Sequence, residues 1–195
     1  EMVAQAARGL KTASAQLIED YFAQGDYLAV AYVYFKSYGA VELQAGEYDQ
    51  VNKIAVSLRE LGLMSDYLNI LNRYLKVAEN EALIDKTTLS VAEGLLIHNR
   101  YDDAAQILNS LAAKTSVRKG PLLAAVHKNL AEIAYRRKLY DQAVVNYDAA
   151  LRSGHDLPNP GESYMNYAQS LSEQKKSDQA LQKYLTAVRH LKPEK

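Results

Sequence analysis

Cysteine and tryptophan are absent from this chain of 195 residues, and glycine (9) and proline (4) are scarce. Without cysteine there are no disulfides and no thiol chemistry, which fits a reducing cytosol and equally a periplasmic protein built without disulfides. So few turn residues argue against an all-β fold and favour helices joined by short connections. No run of about 18 apolar residues occurs, so no transmembrane helix and no direct membrane insertion are expected. No signal peptide is visible. The chain opens Glu1-Met2-Val3 and closes Lys192-Pro193-Glu194-Lys195, and is expected to be a soluble segment of a longer protein, cytoplasmic or periplasmic.

An excess of either charge is lacking too. The 23 Lys and Arg balance 23 Asp and Glu, which argues against general nucleic-acid binding, since that affinity comes from neutralising phosphates. The balance hides an asymmetry. Residues 1–97 carry 8 basic and 13 acidic side chains, and residues 98–195 carry 15 and 10. Such polarity suits steering of a charged partner, or head-to-tail stacking of two molecules; a solvated surface with chance asymmetry is the plainer account.

What the chain does have is an internal repeat. Residues 130–151 and 167–188 align with a shift of 37, placing Ala131 on Ala168, Ala143 on Ala180, Tyr147 on Tyr184 and Ala150 on Ala187, with Asp-Gln-Ala unchanged. The frame extends backwards through Val91-Ala92 and Ala104, then Ile54-Ala55 and Leu71, then Leu17, Gly25-Asp26-Tyr27 and Tyr34. Copies begin near 11, 48, 85, 124 and 161, giving repeats at 11–47, 48–84, 85–123, 124–160 and 161–191 within a single domain spanning 1–195. Within each copy, apolar residues recur every three or four positions, as on helices with one buried stripe. Asp141 and Asp178 fall in first turns of second helices, where a negative charge meets the positive helix end. Gly154, Pro158, Pro160 and Pro193 read as stop signals. The recurring alanines let paired helices approach closely, and the recurring tyrosines fill the space between pairs. Such a unit cannot bury its face alone and must stack on its neighbour.

These residues resemble the tetratricopeptide repeat (TPR) family. Leu130-Ala131, Tyr140, Ala143, Tyr147 and Ala150 match its pattern, as do Tyr164, Ala168, Ala180, Tyr184 and Ala187, and Gly25-Asp26-Tyr27 reproduces its inter-helix turn. The departures are a period of 37–39 where about 34 is usual, Val30 and Tyr67 where alanine is expected, and no tryptophan in the family's tryptophan slot. The resemblance implies an all-α, right-handed superhelical α-solenoid of about five antiparallel helix pairs. It also implies that first helices line a concave face for a partner peptide or helix. By that resemblance the lining includes Phe22, Asn52, Arg59, Leu89, Leu96, Lys128, Glu132, Tyr135, Arg136, Met165 and Gln169. Phe22, Leu96, Tyr135 and Met165 are apolar anchors of the kind that carry binding energy, and Arg136 suits a carboxylate. Family members that clamp chaperone C-terminal carboxylates need Lys and Asn one turn apart on a first helix. Here Glu132 follows Lys128, so that activity is not expected.

No catalytic constellation is present. His98, His127, His155 and His190 are scattered, no glycine-rich phosphate loop occurs, and nothing is spaced as a catalytic triad. His127 falls in a packing slot. The expectation is a non-enzymatic protein-interaction scaffold with no metal and no cofactor. The alternatives are self-assembly through the ends of the array, because the last helix leaves Leu181, Tyr184, Leu185, Val188 and Leu191 without anything to cover them, or service as an accessory domain in a larger envelope, secretion or enzyme complex.

Overall fold

A computed structural model describes residues 2–38, 41–114, 120–153 and 155–191, with side chains from residue 9 onward. The sequence signals at Gly154 and Pro193 lie outside the described residues. The described chain holds ten α-helices and no strand: α1 (Met2–Ala23), α2 (Tyr27–Val33, continued by a π-helical turn, Tyr34–Tyr38), α3 (Tyr48–Glu60), α4 (Met64–Leu75), α5 (Glu81–Ile97), α6 (Tyr101–Ala113), α7 (Pro121–Arg136), α8 (Tyr140–Arg152), α9 (Pro160–Glu173) and α10 (Ser177–Leu191). It is an all-α helical-repeat fold, read as five consecutive helix pairs. No described helix is long and apolar enough to cross a membrane.

One turn joins the two helices of every pair. The first helices end at residues 23, 60, 97, 136 and 173, and after three connecting residues the second helices begin. The middle residue of each connection is left-handed: Gly25 (φ 72°), Gly62 (72°), Asn99 (58°), Lys138 (60°) and Lys175 (62°). The next amide in each case donates back five residues, Asp26 to Tyr21, Leu63 to Leu58, Arg100 to Leu95, Leu139 to Ala134 and Lys176 to Leu171, at 2.8–3.0 Å. This Schellman closure satisfies carbonyls that the helix end would orphan. The first two copies therefore share the register of the last three, even where their side chains depart furthest from the repeat pattern.

The second helices start alike as well. Asp66, Asp102, Asp141 and Asp178 sit in first turns, and in the first pair Asp26 caps α2 by accepting from the Ala29 amide at 3.0 Å. Pro121 and Pro160 open α7 and α9, where a missing amide proton costs nothing.

The chain divides into two compact units, residues 1–94 and 95–195. In the first, α1 packs on α2 and α3, α2 on α3, and α3 on α4. Its core includes Ile18, Val30, Tyr38, Ile54, Leu58, Ile70 and Tyr74. Tyr67 stands where later copies carry Ala104, Ala143 and Ala180, and it is fully buried. Room for its ring comes from Gly94 on α5: a Cβ there would meet Tyr67 Cε1 at 2.5 Å and Leu68 Cδ2 at 3.0 Å. The Tyr67 hydroxyl donates to the Ser90 carbonyl at 2.7 Å. A large residue on one helix is thus accommodated by an absent side chain on the next.

In the second unit, α6 packs on α7, α7 on α8 and α9, α8 on α9, and α9 on α10. Ala131, Ala134, Ala143, Ala150, Ala180 and Ala187 let these helices approach, and Tyr147, Tyr164, Tyr167, Leu157 and Leu171 fill the layers between them. The Tyr147 and Tyr167 rings stack at 5.2 Å between centroids.

Lysine pays a steric penalty for a left-handed backbone that glycine does not. Replacing Lys138 or Lys175 with Gly is expected to raise stability by about 0.5–1 kcal/mol each, after the larger entropy of the unfolded glycine chain is subtracted; urea unfolding checks this. Gly94→Ala is expected to cost about 1–3 kcal/mol by overpacking. In a Tyr67→Ala background the same change should become neutral or stabilising, because helix propensity then dominates.

Candidate partner-binding face

The equal turns put residues a fixed distance before each first helix's end on corresponding positions. Two such positions collect Ala15, Asn52, Leu89, Lys128 and Met165, and Phe22, Arg59, Leu96, Tyr135 and Ser172. Of the residues expected from the TPR resemblance, Phe22, Asn52, Arg59, Leu89, Leu96, Lys128, Tyr135 and Met165 fall on these two positions.

In the first unit, Glu19 on α1 and Lys53 on α3 form an ion pair. Phe22 is half-buried against Tyr27, with ring centroids 5.9 Å apart. Asn52 is exposed, and half-buried Arg59 reaches Glu60 at 3.2 Å. Leu89 is buried, so it belongs to the packing and does not line a surface.

The second unit holds a denser polar group. Glu132, expected to point outward, is buried at 7% exposure. Both of its oxygens are engaged: Oε1 accepts from Arg136 Nε at 2.7 Å, and Oε2 accepts from Asn166 Nδ2 on α9 at 3.0 Å. A carboxylate in such a site needs those donors to offset its lost hydration. Arg136 is exposed, but its guanidinium is already turned towards Glu132. Burial alone would lower that guanidinium's pKa; the hydrogen bond and charge of Glu132 outweigh it and hold it above its usual value. The Tyr135 hydroxyl donates to Gln169 Oε1 at 2.6 Å. Its pKa is raised by burial and by neighbouring Tyr140 and Glu132. Lys128 and Leu96 are half-buried, Gln169 is exposed, and Met165, like Tyr135, packs against the core cluster. His127 Nδ1 lies 3.1 Å from Asn146 Oδ1, a structural contact between α7 and α8.

Beneath the face lies the fully buried Tyr147 hydroxyl, with no hydrogen-bond partner. Burial, with the Glu132 charge adding to it, pushes its pKa well above the ordinary tyrosine value. The Asn166 amide is near enough to oppose that shift, but its nitrogen bonds Glu132 and makes no hydrogen bond to the phenol.

Asn166 and Lys53 were not among the residues the sequence singled out. A signal for them exists. Glu19–Lys53, Glu132–Asn166 and Tyr135–Gln169 are each 34 residues apart, one helical turn less than the 37-residue repeat. Adjacent first helices are offset by that turn, so a polar residue 34 positions after another is its partner across the helices.

No family model matches the chain, and no curated protein matches it. Solved structures do. The crystal structure of the MamA protein is 14% identical with a TM-score of 0.67, over 93% of this chain and 91% of that one. MamA 41-end from Desulfovibrio magneticus RS-1 is 12% identical, with a TM-score of 0.67 over 94% of each chain. The apo form of RapI is 16% identical with a TM-score of 0.73, over 89% of this chain and 67% of that one. The fold is a TPR-like helical repeat. At these identities the likeness concerns the fold alone, and the TPR-like side chains must argue for themselves. Among the described residues, no group of three or more His, Asp or Glu could hold a metal ion.

An unpartnered hydroxyl in a core costs more than a methine of similar shape. Tyr147→Phe is therefore expected to leave stability unchanged or raise it by up to about 1 kcal/mol, whereas Asn166→Ala, which strips a donor from Glu132, should cost about 1–3 kcal/mol. Denaturant unfolding of the two variants separates these opposite signs.

Proposed function

We propose that the chain is a non-catalytic scaffold that holds a peptide or helix of a partner protein on a concave surface built by its first helices, the repeats acting together as one array. The observation that carries this is the group on α7 and α9. Its Glu132, Arg136 and Asn166 are locked together, Tyr135 is tied to Gln169, and half-buried Lys128 and Met165 lie on the same two helices. Side chains already held by neighbours lose little further freedom when a ligand arrives, so less binding energy is spent on ordering them. Arg136 and Gln169 offer outward polar groups to a main chain, while Tyr135 and Met165 offer apolar area. Extended ligands suit a repeat surface better than small molecules do.

The buried Glu132 changes the expected chemistry. Its charge is largely matched by Arg136, so the face does not simply repel a carboxylate, nor does it present a free arginine fork. A neutral hydrogen-bonding segment with an apolar anchor fits it better than a strongly charged tail.

The test is capture of a partner by the immobilised chain, followed by titration of that purified partner. Arg136→Ala combined with Gln169→Ala is expected to weaken binding at least about tenfold, roughly 1.4 kcal/mol. Gln106→Ala, on the exposed side of a second helix, should leave it unchanged. Loss on the Gln106 variant with no loss on the double variant would move binding away from the first helices.

A further inference from the structure

The repeat register shows which exposed apolar residues are out of place. On the second helices, three positions are exposed through the middle of the chain, save that Asp148 is half-buried and accepts from the Tyr167 hydroxyl. They read Ser65, Asn69 and Asn72 on α4, Asp102, Gln106 and Asn109 on α6, and Asp141, Val145 and Asp148 on α8. Apart from Val145 these are polar. On α2 and its π-helical turn the same positions carry Leu28, Tyr32 and Phe35, which are 53–70% exposed. The three residues lie at i, i+4 and i+7, one continuous stripe along a helix.

A second stripe of the same spacing lies on α10: Leu181, Leu185 and Val188, 47–59% exposed. Leu181 and Val188 occupy positions that the four earlier copies bury or half-bury. Leu185 does not. Its counterparts are Asn72, Asn109 and Asp148, and the one other apolar residue at that position is Phe35. Packing within the repeat accounts for none of Leu28, Tyr32, Phe35 or Leu185, and stripes this apolar mark contact surfaces.

The charges choose the partner. The unit bearing the α2 stripe has 8 basic and 13 acidic residues, and the unit bearing the α10 stripe has 15 and 10. Flanking the α2 stripe in sequence are Asp20, Asp26 and Lys36, the last with its ammonium 5.7 Å from the Tyr32 ring centroid, and flanking the α10 stripe are Lys175, Lys176, Asp178, Lys183 and Arg189. Pairing α2 with α2, or α10 with α10, brings like-charged units together. Pairing α2 of one molecule with α10 of another brings opposite charges together and buries both stripes.

We infer that this chain associates with itself head to tail, the Leu28–Tyr32–Phe35 stripe of one copy receiving the Leu181–Leu185–Val188 stripe of the next. The contact is heterologous, so it propagates beyond a dimer. It uses none of the residues of the proposed partner-binding face and stands or falls separately from that reading.

Sedimentation of the whole chain tests it. At about 0.05 M salt the weight-average mass should rise with concentration past that of a dimer, and about 0.5 M salt should lower it. Tyr32→Asp and Leu185→Asp, both at exposed sites and checked for unchanged helicity, should each lose all association. An equimolar mixture of the two variants should recover a dimer and stop there, because each retains the stripe that the other lacks. A wild type monomeric at every concentration, a single variant that still dimerises, association strengthened by salt, or a mixture that stays monomeric would each overturn the inference.

Discussion

A single left-handed residue at the centre of each inter-helix turn governs this chain. The closing bond that runs back five residues ends the first helix at a defined carbonyl and starts the second after three connecting residues. Because the geometry is the same at Gly25, Gly62, Asn99, Lys138 and Lys175, residue positions on one helix pair have counterparts on the others. That constancy makes it meaningful to compare Tyr67 with Ala143, or Phe35 with Asp148. It is maintained at a conformational cost wherever the residue is neither glycine nor asparagine, so two of the five turns hold their shape against local preference, through the packing of the helices they join.

Within that frame the copies solve the same packing problem differently. The last pairs set small residues against each other and stack tyrosines between layers. The second pair instead buries Tyr67 and relies on Gly94 for space. Neither solution alters the turn. Variation is thereby confined to side chains, leaving the first-helix surface and the outer surface of the second helices free to carry different chemistry in each copy. The locked polar group on α7 and α9 is one use of this freedom, and the apolar stripe on α2 is another.

Much of the fold was legible in the sequence, because apolar periodicity and small-residue spacing report directly on helix packing. Ala131, Ala143, Ala168 and Ala180 are buried as their recurrence implied, and Gly25 takes the turn conformation its residue type suggests. Lys138 and Lys175 carried no such signal, since lysine has no preference for positive φ and only tertiary context selects it there. The site was less legible. Glu132 reads as a surface residue by type, and its burial depends on Arg136 one turn later and on Asn166 arriving from another helix. Helical spacing reveals the first partner. The second appears only once the one-turn offset between adjacent first helices is known. The exposure of Leu28, Tyr32 and Phe35 was hidden for a related reason: an apolar stripe at helical spacing looks like core until the register shows that its face is the solvent side.

The common register rests on the left-handed conformation of residues other than glycine, two of them lysines that do not prefer it, so the most direct measurement is the backbone φ of Asn99, Lys138 and Lys175 by NMR couplings and chemical shifts in solution. Positive φ is expected at all three, with Arg100, Leu139 and Lys176 amides protected from exchange by their bonds to the preceding helix. A negative φ at Lys138 or Lys175, or rapid exchange of the amide that follows, would mean that the turn is not shared and would contradict the common register.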